Sequence, residues 1–309
     1  MQLRPLGSTG LQVSEIGFGA LEIGRDWAPD VNPDPSHPSQ EDAGRVLNRL
    51  LDLGVNFIDT APAYWSSEEF IGAGIAHRRS EYILATKVGE QCDRSGSMYD
   101  YSGPATLAFI DRSLERLKTD HIDLLQIHSA SLDVLEKGET LAAMQQARDA
   151  GKVLHIGMTG GVKEALRAIE IGGYETVQVP YNLLALAAED ELLATAHGKG
   201  VGVILMRALA GGKLTDKHER LADETLKAQI AGFMQFLAAK DADTDAPATL
   251  AELGIRYLLT RKEVSTIILG TRHAATLEAN LASAERGALS SELATRVRDY
   301  ARTLEAKTW

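Results

Sequence analysis

Only one cysteine, Cys92, stands in this chain of 309 residues. No intramolecular disulfide can form, as expected of a reducing compartment. Positive charge is scarce too: 32 Lys and Arg face 43 Asp and Glu, for a formal net charge of -11. Nucleic acids and anionic membranes are bound through clustered Lys and Arg, so neither is expected as a partner. A phosphorylated small molecule needs only one local basic group. No run of about 18 apolar residues suits a membrane span, and the opening MQLRPLGSTG lacks the apolar stretch of a secretory signal. A cytoplasmic protein is expected. Familiar chemical motifs are missing as well. There is no HExxH or CxxC metal motif, no Ser–His–acid or Cys–His spacing, and no GxGxxG at a strand–helix turn to mark a doubly wound dinucleotide fold.

What the sequence does have is a steady alternation, with 44% hydrophobic residues to build a core. Candidate strands lie at 15–20, 55–60, 82–87, 121–128, 153–159, 176–182, 200–207 and 265–271. Candidate helices lie near 41–53, 67–76, 104–117, 138–150, 162–171, 189–199, 248–260 and 274–284. The strands are apolar with little alternation, the pattern of parallel strands covered on both faces. Roughly eight strand–helix units in succession predict an α/β fold, a closed (β/α)8 TIM barrel forming one domain over 1–309. Residues 1–13 read as an N-terminal β-hairpin around GSTG that plugs one end, and 290–307 as an extra C-terminal helix. The stretch after 207 reads as a long polar-rich excursion. The loop at 21–40, with Trp27 and prolines at 29, 33, 35 and 38, reads either as a functional loop or as a surface insertion. The runs LLALAAEDELLATA and LASAERGALSSELA read as core-facing helix stripes, which leaves a monomer or small homo-oligomer open.

A barrel of this kind gathers its active site at the C-terminal ends of its strands. Nearly every strand here delivers a polar group to that rim: Asp59 with Tyr64 just beyond, Lys87, His128, Thr159, Gln178 with Tyr181 after it, Arg207, and Gly270-Thr271-Arg272. Singly, each has an ordinary reading as a turn, surface or core residue. Together, Asp59, Tyr64, Lys87 and His128 make sense as acid–base machinery around a carbonyl. A tyrosine hydroxyl titrates near pH ~10. A neighbouring Lys87 ammonium favours the phenolate and lowers that value, while Asp59 holds the lysine charged. His128 hydrogen-bonds the substrate oxygen. With no strong nucleophile beside a base, the site calls for a hydride donor. A metal on Asp59 and His128 would lack two ligands, so none is expected.

In these segments the chain resembles the aldo-keto reductase family. LGSTGLQVSEIGFGA is similar to its opening signature, and VNFIDTAPAY to its Gly-x-Asn-x-x-Asp-Thr-Ala…Tyr segment, with Gly54 and Asn56 in place. LATKVG and HIDLLQIHS resemble its lysine and histidine segments, QVPYNLL and ILGTRHAATLEANL its cofactor segments. The resemblance covers essentially the whole chain. It implies an NADPH-dependent barrel that reduces an aldehyde or ketone to an alcohol, reversibly, with Tyr64 as proton donor, Lys87 and Asp59 tuning it, and His128 orienting the substrate. For the cofactor it implies Thr159 and Gln178 at the nicotinamide carboxamide, Gly270, Thr271 and Arg272 at the adenosine 2′-phosphate, and Asn280 at the adenine. A guanidinium suits that phosphate by charge and bidentate geometry. Leu209, Gly211 and Thr276 are further expected contacts, Thr276 with a reduced grip. Tyr181 either packs on the nicotinamide or fills space, and Arg207 either meets the pyrophosphate or forms a rim salt bridge.

The departures from the family pattern shape the expected pocket. Trp65 follows Tyr64 where glycine is common, and with Trp27 it is expected to wall a pocket for a fairly bulky apolar or cyclic compound. Gly160 stands where an asparagine is frequent, and Met206, Arg207 and Ala208 replace a Tyr-Ser-Pro pattern. Two other readings remain. Lys87 would serve a Schiff-base lyase, against which the Gly-Thr-Arg…Asn segment speaks. The chain would otherwise be a cofactor-binding regulatory subunit without turnover, like the ion-channel partners in the family.

Overall fold

A computed structural model of the protein describes residues 1–25, 37–93, 96–237 and 245–304. The chain opens with an antiparallel hairpin of β1 (Leu3–Pro5) and β2 (Gln12–Ser14). Three parallel strands follow, β3 (Ile16–Gly19), β4 (Phe57–Asp59) and β5 (Ile83–Val88). A second antiparallel hairpin, β6 (Glu90–Asp93) and β7 (Gly96–Tyr99), interrupts them. The series resumes with β8 (Ile122–Ile127), β9 (Val153–Thr159), β10 (Thr176–Pro180), β11 (Gly202–Met206) and β12 (Val264–Gly270). Strands β3, β4, β5 and β8 to β12 close into a barrel in chain order. The expected (β/α)8 architecture is therefore present.

Side-chain alternation divides the apolar residues between two cores. Inside the barrel, Phe57, Ala85, Leu124, Ile204 and Ile268 pack on Leu6 and Val13 of the first hairpin, which plugs the N-terminal end. The outward-facing residues join the helix faces in a larger continuous core. Arg4 fastens the plug, donating to Val264 O at 3.1 Å and to Glu15 at 3.2 Å. Gly7 has φ 55°, and a Cβ there would lie 2.3 Å from Gly202 N, so only glycine lets the hairpin seat this closely.

The helices begin where capping chemistry predicts. The helix Gln40–Asp52 starts with a reciprocal Ser39–Asp42 capping box, and Gly103–Leu117 with Ser102 accepting from Ala105 N. The predicted C-terminal helix occupies Ser291–Thr303. Four features had no expectation: the helix Leu21–Gly24 at the start of the loop read at 21–40, the β6–β7 hairpin, the helix Leu132–Lys137, and the helix Glu224–Ala231 with helical turns around it in the excursion. Strand β7 is exposed along its whole length, so its sequence carries no burial period to read. Much of the loop at 21–40, including Trp27, lies outside the described residues. Among those described, no helix is long and apolar enough to cross a membrane.

Candidate active site

The barrel register brings Asp59, Lys87 and His128 to one rim, at or just past the ends of β4, β5 and β8. Lys87 Nζ donates to both Asp59 carboxylate oxygens at 2.8 Å and to Thr60 O at 2.9 Å. The two side chains are only 1% and 3% exposed. Burial alone would push the lysine down, but Asp59 and Tyr64 outweigh it and hold Lys87 above its ordinary value. It remains an ammonium. Tyr64 ends the turn Pro62–Tyr64, which the proline pre-sets, and its ring centroid lies 4.9 Å from Lys87 Nζ. The expected depression of the tyrosine is not what the site produces. Burial raises its pKa, Asp59 and Glu90 add to that, and the opposing charge and hydrogen bond of Lys87 do not overcome them. The hydroxyl therefore stays protonated at neutral pH.

His128 meets Tyr64 edge-on, with ring planes at 84° and centroids 5.8 Å apart. Burial, then the charges of Lys87 and Arg25, hold its imidazole well below the usual value, so it is neutral. Two groups missed from the sequence complete this region. Glu90, the first residue of β6, places Oε2 3.1 Å from His128 Nδ1. Gln126 donates to Asp59 Oδ1 at 3.2 Å and to Gln178 Oε1 at 2.9 Å, and Gln178 donates to Asp59 Oδ2 at 3.3 Å. Asp59 is thus gripped by three side chains. Gln126 was findable, because it lies two residues before His128 and so faces the same side of the strand. Glu90, in the polar run GEQCDRSGS, offered no such signal.

Around the mouth, Thr159 is buried and its Oγ1 accepts from Ser129 N at 2.9 Å. At the end of β12, Gly270 is exposed, Thr271 Oγ1 accepts from His273 N at 3.1 Å, and Arg272 is half-buried. The helix Ala274–Glu285 begins there, with Thr276 exposed in its first turn and Asn280 buried. Arg272 and Lys217 both lower the carboxyl of Glu22, although burial raises it more. Neither Lys217 nor Glu22 was anticipated. Leu209 and Gly211 sit half-buried on the turn after β11. Arg207 is half-buried beside them. Burial lowers its pKa and Tyr64 raises it, so the guanidinium feels the Tyr64 side of the mouth.

Backbone strain collects at the same place. Trp65, Ser129 and Arg207 adopt φ of 50°, 50° and 56°, directly beyond Tyr64, His128 and the end of β11. At Trp65 this left-handed backbone is the conformation a glycine takes without strain. Its half-buried indole packs 5.5 Å from the His37 ring. Tyr181 does not join the site. It lies an odd number of residues beyond Gln178, on the outer face of the barrel, and its fully buried hydroxyl bonds Glu189 and Arg261. Of the two readings of Tyr181, packing on the nicotinamide or filling space, the structure fits the second, with the side chain packed among the helices. A cavity of about 610 Å³ at the opposite, plugged end is lined by Arg4, Glu15, His197 and Lys262 and holds none of these groups.

The profile of the Aldo/keto reductase family matches residues 15–302. The chain belongs to the aldo/keto reductase family. As an aldo/keto reductase it is an oxidoreductase of the class acting on carbonyl or alcohol substrates. It is similar to L-galactose dehydrogenase of Arabidopsis thaliana, at 32% identity over 301 residues, 92% of this chain and 88% of that protein. It is also similar to the NADH-specific methylglyoxal reductase of Escherichia coli K12, at 26% identity, covering 99% of this aldo/keto reductase and 100% of the relative. The solved holo form of the aldo-keto reductase AKR11C1 from Bacillus halodurans superposes with a TM-score of 0.82 at 26% identity, covering 100% and 98% of the two chains.

Proposed function

We propose that this protein is an NADPH-dependent reductase of an aldehyde or ketone, reversible to alcohol oxidation, with Tyr64 as the proton donor. The observation that carries the reading is the buried Lys87–Asp59 pair set against the Tyr64 ring, with His128 edge-on to it. The raised Tyr64 keeps its proton at neutral pH, the state an acid catalyst needs. Lys87, held charged by Asp59, stabilises negative charge as it develops on the substrate oxygen. Gln126 and Gln178 keep Asp59 in place beneath it. Burial of the pair excludes water from the proton-transfer path.

A reduced nicotinamide, when bound, supplies the hydride. The residues fit such a cofactor. Arg272, with Lys217 near it, stands at the start of a helix of 12 residues, where guanidinium and free backbone N–H groups favour phosphate. The Thr159 hydroxyl and the buried, unpartnered Gln126 Oε1 supply polar partners deeper in the barrel. One similar chain is named as an NADH-specific reductase. Preference for NADPH here rests on Arg272. Trp65 at the mouth supports a fairly bulky or cyclic substrate.

The test is NADPH consumption across a panel of aromatic and cyclic carbonyls, with wild type beside Tyr64→Phe. Loss of turnover by about 10²-fold or more, with NADPH binding retained, is the expected outcome for removal of a general acid. Turnover that survives in the variant would sink the assignment of Tyr64. Wild type that turns over neither carbonyls nor alcohols would sink the reductase reading.

A further inference from the structure

A proton donor carried on a turn is only as well placed as the backbone beneath it. Tyr64 ends the turn Pro62–Tyr64, where its N–H donates to Ala61 O at 3.0 Å. The next residue, Trp65, has φ 50°. A side chain held at such a φ costs energy, and it persists only where the surroundings over-determine it. Those surroundings lie largely on the segment that follows β3.

That segment, Ala20 with the helix Leu21–Gly24 and Arg25, meets the turn along its length. Ala20 N donates to Asp59 O at 2.9 Å, and Ala20 O accepts from Ser67 Oγ at 2.8 Å. Ser67 has one hydroxyl hydrogen and spends it there, so the Thr60 hydroxyl, 2.8 Å away, donates to Ser67. Thr60 O in turn accepts from Lys87 Nζ at 2.9 Å. Arg25 Nη1 donates to Ala63 O at 3.3 Å. One brace thus fastens Asp59, Ala63 and Ser67 directly and Thr60 through Ser67, with Tyr64 in their midst.

Gly24 closes the brace. It is buried and its φ is not left-handed, so a side chain is barred there by space alone. A Cβ would lie 2.1 Å from Tyr64 O, 2.5 Å from Ser67 N and 2.7 Å from Ser67 Cβ. Ordinary contact begins near 3.4 Å, so a methyl at this position forces about 1 Å of movement. The helix has little freedom to supply it, because Ala20 and Ile23 are fully buried in the larger core. The turn yields instead. We propose that Gly24 is a positioning residue for the proton donor. Its bare Cα lets the brace seat on Tyr64 O and so fixes the phenol beside Lys87, whose Nζ stands 4.9 Å from the ring centroid. The effect on rate rests on the reductase reading above; the placement of Tyr64 does not.

Gly24→Ala in the full chain tests it, by crystallography beside wild type and by kinetics. Tyr64 should stand about 1 Å from its wild-type place relative to Lys87, and a misplacement of that size costs about 10²-fold in kcat. The NADPH dissociation constant should stay at the wild-type value. The solvent deuterium isotope effect on kcat should rise, because a retracted acid slows the proton transfer; a substitution that only loosened the fold would lower Tm and leave the isotope effect alone. A Tyr64 that superposes on wild type, or a kcat lowered by less than about threefold, overturns the proposal. If Gly24→Ala does not fold, Ser67→Ala decides, since it removes the bond to Ala20 O without adding an atom. It should lower kcat by at least about threefold with NADPH binding kept, and an unchanged kcat and isotope effect overturn the brace. A displaced Tyr64 in a protein whose wild type reduces no carbonyl defeats the reductase reading and leaves the positioning role of Gly24 standing.

Discussion

Replacing Lys87 by Met should damage the fold as well as the chemistry. The ammonium has three acceptors, two on Asp59 and one on Thr60, all within 2.9 Å. Met fills similar volume but leaves the Asp59 carboxylate, 3% exposed, with only the amides of Gln126 and Gln178. Stranding one partner of a buried pair costs about 3–5 kcal/mol. For a chain of 309 residues the unfolding entropy makes that a fall in Tm of roughly 5–8 °C. Asp59→Asn strands the other charge and should also destabilise. The double variant Asp59→Asn/Lys87→Met removes both charges, so it should be more stable than the sum of the two single losses predicts, by at least about 1 kcal/mol. Urea unfolding of the four proteins closes the cycle. A Lys87→Met loss under about 1 kcal/mol, or strict additivity, would refute the claim that the pair is held by mutual charge compensation.

Other consequences follow from named groups. Because burial holds Tyr64 up, kcat/KM for reduction should stay level from about pH 6 to about pH 9 and fall only above about pH 10; an alkaline limb well below that contradicts the assignment. Burial raises Glu68, although nearby Ser113, the Thr86 hydroxyl that donates to it at 2.8 Å, and the charges of Arg116 and Arg112 pull it down. A carboxyl raised on folding contributes stability below its unfolded value, and that contribution is lost as pH rises through the folded one. Glu68→Gln, which still accepts from Thr86, should therefore gain in Tm over wild type as pH goes from about 5 to about 8; a pH-independent difference counts against it. Arg272→Ala should weaken NADPH binding by roughly tenfold or more while affecting NADH less, and equal losses would remove Arg272 from the phosphate.

Much of this molecule is legible in the order of its residues. Apolar runs and amphipathic stretches alternate through local periodicity, and periodicity is a property of near neighbours. The eight barrel strands, the plug, the capped helices and the polar groups at the strand ends therefore read directly. Contacts between distant segments do not. Gln126 and Gln178 lie 67 and 119 residues from the Asp59 they hold. Glu90 reaches His128 from a hairpin whose second strand is exposed throughout, so it carries no burial pattern. The same limit explains Tyr181, which follows the rim in sequence but turns outward with the strand. Tyr64 shows it most clearly: a lysine beside a tyrosine predicts a lowered pKa, but burial, which sums every segment packed around the site, reverses the direction. Residue types and their spacing name the reacting groups; the closed barrel sets their charge, their partners and the way they face.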